Sequence, residues 1–188
     1  MKPFTTHPFY WAALVYGSLS LTLQAANPQV TMKTTLGDIV LELDAEKAPI
    51  STHNFLQYAE SKYYNGTIFH RVIPTFMIQG GGFDKNLDKK TTGMMPPIKN
   101  EWKNGLKNLR GTIAMARTND PDSATSQFFI NVANNDFLDW FSPGESKHPV
   151  FGKVTEGFNV VQAIVKVPTS NDNPRTPIMM KSITVSGA

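Results

Sequence analysis

The sequence predicts a mainly β domain, a closed barrel capped by two α-helices. Short apolar runs bounded by glycine, asparagine and proline recur along most of the chain, as is typical of strands joined by tight turns. Two separated segments have the apolar spacing of helices instead, and no regular alternation of strand and helix is visible. Many short strands with only two helices favour a closed barrel over a parallel α/β sheet.

The predicted elements begin with a hairpin, in which Val30–Thr34 and Asp38–Leu43 flank the turn Leu36-Gly37. Six further apolar runs are predicted as strands: Thr67–Ile73, Phe76–Gln79, Thr112–Ala116, Phe128–Val132, Val150–Val154 and Met179–Val185. Pro49 to Lys62 and Phe158 to Val167 are the two predicted helices. The proline that opens the first helix suits its first turn, where the missing N–H would have no partner inside the helix.

Length and composition indicate one domain that is held by its core. The 188 residues suffice for one sizeable core but not comfortably for two. The formal charge of +3 is mild and no run rich in lysine and arginine accompanies it, so we expect no nucleic-acid partner. With no cysteine and four scattered histidines, the sequence predicts no disulfide, no thiol nucleophile, no metal site and no cofactor.

The first 25 residues have the order of a secretory signal. Lys2 carries a positive charge, the run Phe9–Leu23 carries none, and a pair of alanines follows. We therefore expect residues 1–25 to be a signal peptide that is cleaved near Ala25, and residues 26–188 to form the exported domain. A membrane anchor is the second interpretation, because the apolar run is shorter than the roughly 20 residues of a spanning helix. A buried N-terminal helix is the third, because the run has no polar face.

Three groups of motifs resemble one known family. They are Phe69–Gly81 (FHRVIPTFMIQGG), Arg110–Ala116 (RGTIAMA) followed by Ser126–Ile130 (SQFFI), and Pro149–Val154 (PVFGKV). In this order and at these distances they resemble the cyclophilins, and the resemblance runs from about Met32 to Val185. The loops at residues 96–101 and 116–118 look most like those of the short bacterial exported cyclophilins.

The resemblance implies an eight-stranded antiparallel barrel with a helix over each open end and a binding groove on its outer surface. It implies a peptidyl-prolyl cis/trans isomerase without a cofactor. Such an enzyme would work in the periplasm as a monomer, on Pro-containing segments of folding proteins. By the family pattern Arg71 is the catalytic residue, and Gln79 with the backbone at Ala116 holds the peptide. Phe76, Met77, Phe129 and Leu138 would form the proline pocket, with Phe137 as a further substrate-binding residue that lines the groove and His148 at the pocket rim.

Arginine suits this reaction for a physical reason. Rotation about an X-Pro amide is slow because the C–N bond has partial double-bond character, with a barrier of about 18–20 kcal/mol. In the twisted amide the prolyl nitrogen recovers its lone pair, so a donor aimed at that nitrogen stabilises only the twisted form. The guanidinium of Arg71 is always charged and offers fixed N–H donors.

One position departs from the family pattern. The best-known members carry tryptophan immediately before the pocket leucine, whereas Phe137 precedes Leu138 here, so one N–H donor is missing. The stretch between Leu138 and His148 is also longer than in compact members. Two alternatives stay open at this point: the groove lacks the donor, or Trp140 supplies it.

Other interpretations of the same residues also stay open. A binding module or chaperone would use the same groove without turnover, although Arg71 with Gln79 favours an enzyme. A membrane-anchored scaffold would require an uncleaved first segment. Alternation along the strand predicts that His70 points away from Arg71 and supports structure. The adjacent phenylalanines cannot share a face, and Phe129 is the one assigned to the pocket.

Overall fold

The computed structural model describes residues 27–139 and 147–186, and the expected signal segment and Trp140 lie outside them. The strands in these ranges are β1 Gln29–Thr34, β2 Gly37–Leu43, β3 Phe69–Ile73, β4 Met77–Gly80, β5 Thr112–Met115, β6 Phe128–Asn131, β7 Val150–Glu156, β8 Thr169–Ser170, β9 Asn173–Pro174 and β10 Met180–Ser186. The helices are α1 Pro49–Glu60 and α2 Phe158–Val165, with a 3₁₀ helix at Asp136–Leu138. Within the described ranges, no helix has the length and apolar character needed to cross a membrane.

The eight predicted strands correspond to β1–β7 and β10, and the two predicted helices correspond to α1 and α2. Every boundary lies within two residues of the expected one. The short strands β8 and β9, which pair with each other as a separate hairpin, were not expected. Two residues per strand leave no period that a sequence pattern could reveal.

The main sheet is an antiparallel, strongly curled half-barrel rather than the closed barrel that was expected. Its strand order is β10-β1-β2-β7-β5-β6-β4-β3, so β10 and β3 are edge strands. In the described residues an isolated bridge between Ile68 and Met179 joins these edges. Beyond it the β8–β9 hairpin takes the place of β10, because the Val72 N–H donates to the carbonyl oxygen of Asp172 at 2.6 Å.

The concave face of the sheet is filled by the main hydrophobic core. Phe55 of α1 lies at its centre, with its ring 5.1–5.5 Å from the rings of Tyr64, Phe128 and Phe151. Helix α2 buries Val161 on the same core. Because side chains occupy this space, a ligand has to bind on the outer face of the sheet or in its loops.

The N-terminus of α1 is capped by a carboxylate from a distant loop. The N-cap residue Ala48 offers no side-chain acceptor. Instead, the two carboxylate oxygens of Glu101 accept hydrogen bonds from the Ile50 N–H at 2.9 Å and the Ser51 N–H at 2.7 Å. The negative charge also lies at the positive end of the helix dipole. One side chain therefore ties α1 to the loop that precedes β5.

Replacing Glu101 by alanine (E101A) should lower the free energy of unfolding by about 0.5–2 kcal/mol, the usual loss when a helix cap is removed. Urea unfolding at pH 7 measures the change. Glu60→Ala is the matched control, because a carboxylate at the other end of α1 gains nothing from the dipole. Equal losses in the two variants would contradict a capping role for Glu101.

Candidate active site

Three neighbouring strands place a row of side chains on the outer face of the sheet. Arg71 of β3 lies opposite Gln79 of β4, and Gln79 lies opposite Phe129 of β6. Directly opposed residues on one face have Cβ atoms about 4.5–5.5 Å apart. A cation, an amide and an aromatic ring therefore stand side by side, whereas the adjacent Phe128 packs into the core on the concave side.

A β-bulge at His70 decides which face Arg71 occupies. The β3–β4 register shifts between Phe69, which faces Gly80, and Arg71, which faces Gln79. Phe69 is fully buried in the core and Arg71 is exposed, although strict alternation would put both on the same face. The alternation used to orient His70 is therefore interrupted here, and the bulge turns Arg71 out towards Gln79.

The row borders an open cleft of about 280 Å³. Met77, Phe129 and Leu138 form its apolar wall, and each is buried. The cleft is lined by Arg71, Phe76, Met77, Gln79, Ala116, Arg117, Phe129, Leu138 and His148. The fold thus brings together eight of the nine residues named from the sequence, and their roles in binding and catalysis stay predictions.

Phe137 is the predicted residue that does not line the cleft. Its side chain is 57% exposed and its ring lies against that of Phe76, with centroids 5.5 Å apart. In the 3₁₀ helix the next residue, Leu138, turns inward and is buried. Phe137 therefore covers the outer side of Phe76 and touches the cleft only through that ring.

His148 stands at the rim of the cleft. Its Nδ1 lies 3.0 Å from the carbonyl oxygen of Met115, and its ring meets Phe129 edge-on at 5.3 Å. A carbonyl oxygen can only accept, so Nδ1 carries the proton and Nε2 is left as an acceptor. Burial lowers the pKa of His148, and the charge of Arg117 lowers it further, against the opposing effect of the Met115 hydrogen bond.

Two charged residues at the site were not identified from the sequence. Arg117 lines the cleft directly after Ala116, and its Nε donates to the carbonyl oxygen of Lys147 at 3.2 Å. Asp172, in the β8–β9 turn, places a carboxylate oxygen 3.6 Å from Nε of Arg71. Adjacency to Ala116 was a signal for Arg117, whereas no local pattern linked residue 172 to residue 71.

The ion pair with Asp172 directs the arginine without enclosing it. The side chains of Arg71 and Asp172 are 44% and 51% exposed. An ion pair this exposed contributes about 0–1 kcal/mol to stability. Its main effect is to limit the directions that the guanidinium can take, while leaving its N–H groups accessible to a ligand.

Gly82 leaves room for Gln127, the side chain that is hydrogen-bonded to Gln79. The Gln79 amide nitrogen donates to the side-chain oxygen of Gln127 at 3.0 Å. A Cβ atom at Gly82 would lie 2.4 Å from Cγ of Gln127 and would displace it. Gly81 has a φ of 84°, which suits a turn. Gly81 and Gly82 therefore form a bend after β4 that also accommodates Gln127, the support of Gln79.

The arrangement places the accessible guanidinium of Arg71 beside an apolar hollow, and Arg117 is a second cation that lines the cleft. The described residues that line the cleft include no carboxyl group, and burial lowers the pKa of His148. Among residues 27–139 and 147–186, no group of three or more histidines and carboxylates is placed to hold a metal ion. The geometry therefore suits a reaction that needs a fixed hydrogen-bond donor and a tight apolar contact.

His70 lies behind the row and does not line the cleft. Its ring packs on Phe83 with centroids 4.5 Å apart. Burial, and in second place the charge of Arg71, lower the pKa of His70 to about 4. Between about pH 6.5 and pH 4 the unfolded chain therefore binds a proton that the folded chain does not, so stability falls as the pH falls through this window.

In wild type, the free energy of unfolding should fall more steeply from pH 6.5 to pH 4 than in His70→Gln, which has no proton to bind there. Urea unfolding at several pH values measures both slopes. His53→Gln, at an exposed position of α1, is the control and should keep the wild-type slope. Parallel curves for wild type and His70→Gln would contradict the lowered pKa.

Comparison with known proteins agrees with the fold and the motifs. The family model described as cyclophilin type peptidyl-prolyl cis-trans isomerase/CLD matches residues 29–185. A peptidyl-prolyl cis-trans isomerase of Acinetobacter baylyi is 54% identical over 179 residues, which cover 92% of this chain and 94% of that protein. Peptidyl-prolyl cis-trans isomerase B of Escherichia coli is 50% identical over 166 residues, which cover 84% of this chain and 99% of that protein.

Solved structures give the same family. The crystal structure of a cyclophilin type peptidyl-prolyl cis-trans isomerase of Cryptosporidium parvum has a TM-score of 0.72 and 28% identity, covering 86% of this chain and 99% of that one. A second structure of that protein, in the presence of the dipeptide Ala-Pro, also has a TM-score of 0.72. Since the family model and these relatives span nearly the whole described domain, the chain belongs to the cyclophilin-type peptidyl-prolyl cis-trans isomerases.

Proposed function

We propose that this isomerase acts on X-Pro bonds of peptide segments that enter the outer cleft, with Arg71 as its catalytic residue. One observation carries the proposal: an accessible guanidinium stands at the edge of an apolar hollow, in one row with Gln79 and Phe129. The relative from Cryptosporidium parvum, studied in the presence of Ala-Pro, supports proline-containing peptides as the substrate class.

The hollow grips the ring of the proline. Met77, Phe129 and Leu138 supply apolar contacts that do not depend on the state of the amide. Gln79 and the backbone at Ala116 hold the peptide chain on the other side of the X-Pro bond. One end of the amide is therefore fixed while the other end rotates. The guanidinium of Arg71 then donates to the prolyl nitrogen, which accepts only when the amide is twisted.

The energies indicate that the guanidinium and the hollow are both needed. An acceleration of about 10⁵-fold, taken as an illustration, requires roughly 7 kcal/mol of differential stabilisation. One preorganised donor typically supplies about 2.7–4 kcal/mol. The remainder has to come from removing the amide from water and from holding the ring in place. A cleft that loses its shape should therefore lose activity even with Arg71 intact.

Arg71→Ala should lower kcat/KM by about 10²–10³-fold, the usual loss for one preorganised donor. The affinity for a ground-state Pro peptide should fall much less, because the donor acts mainly on the twisted amide. A protease-coupled isomerisation assay and a peptide-binding titration measure the two effects. Arg175→Ala, at an exposed arginine outside the cleft, is the control.

Two outcomes would contradict this assignment. Activity of Arg71→Ala within about a factor of two of wild type, or roughly 0.4 kcal/mol, would exclude Arg71 as the catalytic residue. Equal losses of binding and turnover would favour the alternative in which the groove is a binding module. Arg71→Lys adds a finer test, since lysine keeps the charge but loses the planar fork of donors and should recover little activity.

We propose further that the protein is exported and assists the folding of exported proteins in the periplasm, as a monomer. The support is the order of Lys2, the uncharged run Phe9–Leu23 and the alanines that follow it.

Mass spectrometry of the native protein tests the export proposal. We expect a mature chain that begins near residue 26, because a signal of this kind is removed after export. A variant with Leu14 replaced by arginine, which interrupts the apolar run, should remain unprocessed. A wild-type chain that still begins at Met1 would contradict cleavage and favour the membrane-anchored alternative.

A further inference from the structure

The cleft has two halves that are held in different ways. The strand half lies on β-ladders and comprises Arg71, Met77, Gln79 and Phe129. The loop half comprises Phe76, Leu138 and His148, which lie on a turn, on the 3₁₀ helix and on the segment before β7. Ladder hydrogen bonds fix the strand half. In the loop half the Val132 N–H donates to the Phe76 carbonyl oxygen and the His148 N–H donates to that of Leu138, each at 3.0 Å, and side chains add further contacts.

Behind the loop half lies a cluster of four buried polar side chains, here called the amide network: Asn108, Asn131, Asn135 and Asp139. Each is at most 2% exposed. The Asn135 amide donates to the Asn131 side-chain oxygen at 2.6 Å, and the Asn131 amide donates to that of Asn108 at 3.1 Å. The Asn108 amide in turn donates to a carboxylate oxygen of Asp139 at 3.0 Å.

The amide network reaches the backbone carbonyl groups of Phe76 and His148, and two of its members, Asn135 and Asp139, flank the 3₁₀ helix that carries Leu138. The Asn135 amide also donates to the Phe76 carbonyl oxygen at 3.0 Å, and the Asn108 amide donates to that of His148 at 3.2 Å. The Leu138 N–H donates to the carbonyl oxygen of Asn135 at 2.9 Å. Three segments that are distant in sequence are thus joined through one set of side chains.

Buried amides are an unusual choice if stability alone is the requirement. A buried polar group has to recover the hydrogen bonds that it loses from water, and an apolar packing of the same volume is often as stable. Compared with apolar packing, a hydrogen-bonded network fixes positions more closely, because a donor restricts where a carbonyl oxygen can lie more narrowly than a methyl group does. The targets here are the carbonyl groups of Phe76 and His148, at the cleft.

We infer that the amide network positions the loop half of the cleft for isomerisation, with Asn135 as the positioning residue that acts through Phe76. The inference rests on the proposed function of the cleft. Asn135 itself does not line the cleft, and it contacts the site through the Phe76 carbonyl and the Leu138 N–H. Losing its amide removes the side-chain donor to the Phe76 carbonyl oxygen, which keeps only the Val132 N–H at 3.0 Å, while the ladders that carry Arg71 stay in place.

The test compares Asn135→Ala with Asn134→Ala. Asn134 is the exposed neighbour, and its side-chain oxygen accepts from the Arg110 N–H outside the network. At a temperature where both variants are fully folded by circular dichroism, Asn135→Ala should lower kcat/KM about tenfold, since small misplacements of a site are costly to the rate. Asn134→Ala should keep the wild-type value. Asn135→Ser, which retains one donor, should fall between them and serves as the test if the alanine variant does not fold.

A double-mutant cycle with Phe76→Ala separates positioning from general stability. If Asn135 acts through Phe76, its replacement should cost little further activity once the Phe76 ring is absent. Additive losses, or a less stable Asn135→Ala with wild-type kcat/KM, would overturn the inference. A wild-type protein without isomerase activity would overturn the proposed function and this inference together. An active wild type whose kcat/KM is unchanged in Asn135→Ala would overturn the inference alone.

Discussion

The register of β3 against β4 is the constraint on which the site depends. Without the bulge at His70, Phe69 and Arg71 would share a face of the sheet. Either a phenylalanine would then leave the core, or an arginine would enter it without a partner, and both changes are unfavourable. The bulge avoids both. Its own residue, His70, is accommodated as a neutral ring against Phe83 rather than as a charge beside Arg71.

The elements of the fold could be predicted from the sequence because strands and helices leave periods in the chain. The β8–β9 hairpin is too short to do so, and its residue Asp172 accepts a backbone hydrogen bond from Val72 at the edge of β3. The motifs named eight residues of the cleft, whereas the contacts of Asp172 and Glu101 join parts of the chain that no local pattern connects. The bulge was missed because it is defined by the partner strand and not by the sequence of β3.

Because core side chains fill the concave face of the sheet, the cleft lies on its outer face, where apolar residues need other neighbours to be buried. Phe129 and Met77 face outward, yet both are buried, because Leu138, Val150 and Ala114 pack around them as a second, smaller cluster. The 3₁₀ helix supplies Leu138, so a short irregular segment completes an apolar hollow that the strands alone would leave open to water. Irregular backbone needs partners for its N–H and C=O groups, and buried amides next to it provide them.

A catalyst for rotation about an amide needs shape more than reactivity. In the proposed mechanism Arg71 contributes only part of the stabilisation that a large acceleration requires, so the walls around the proline ring have to contribute the rest. Walls contribute in this way only if their positions are fixed before the amide twists. The ladders fix Met77 and Phe129, whereas the Phe76 carbonyl oxygen is held by the Val132 N–H together with the Asn135 amide. In the proposed mechanism the hydrogen bonds behind this turn, although they contact no substrate, therefore contribute to the rate.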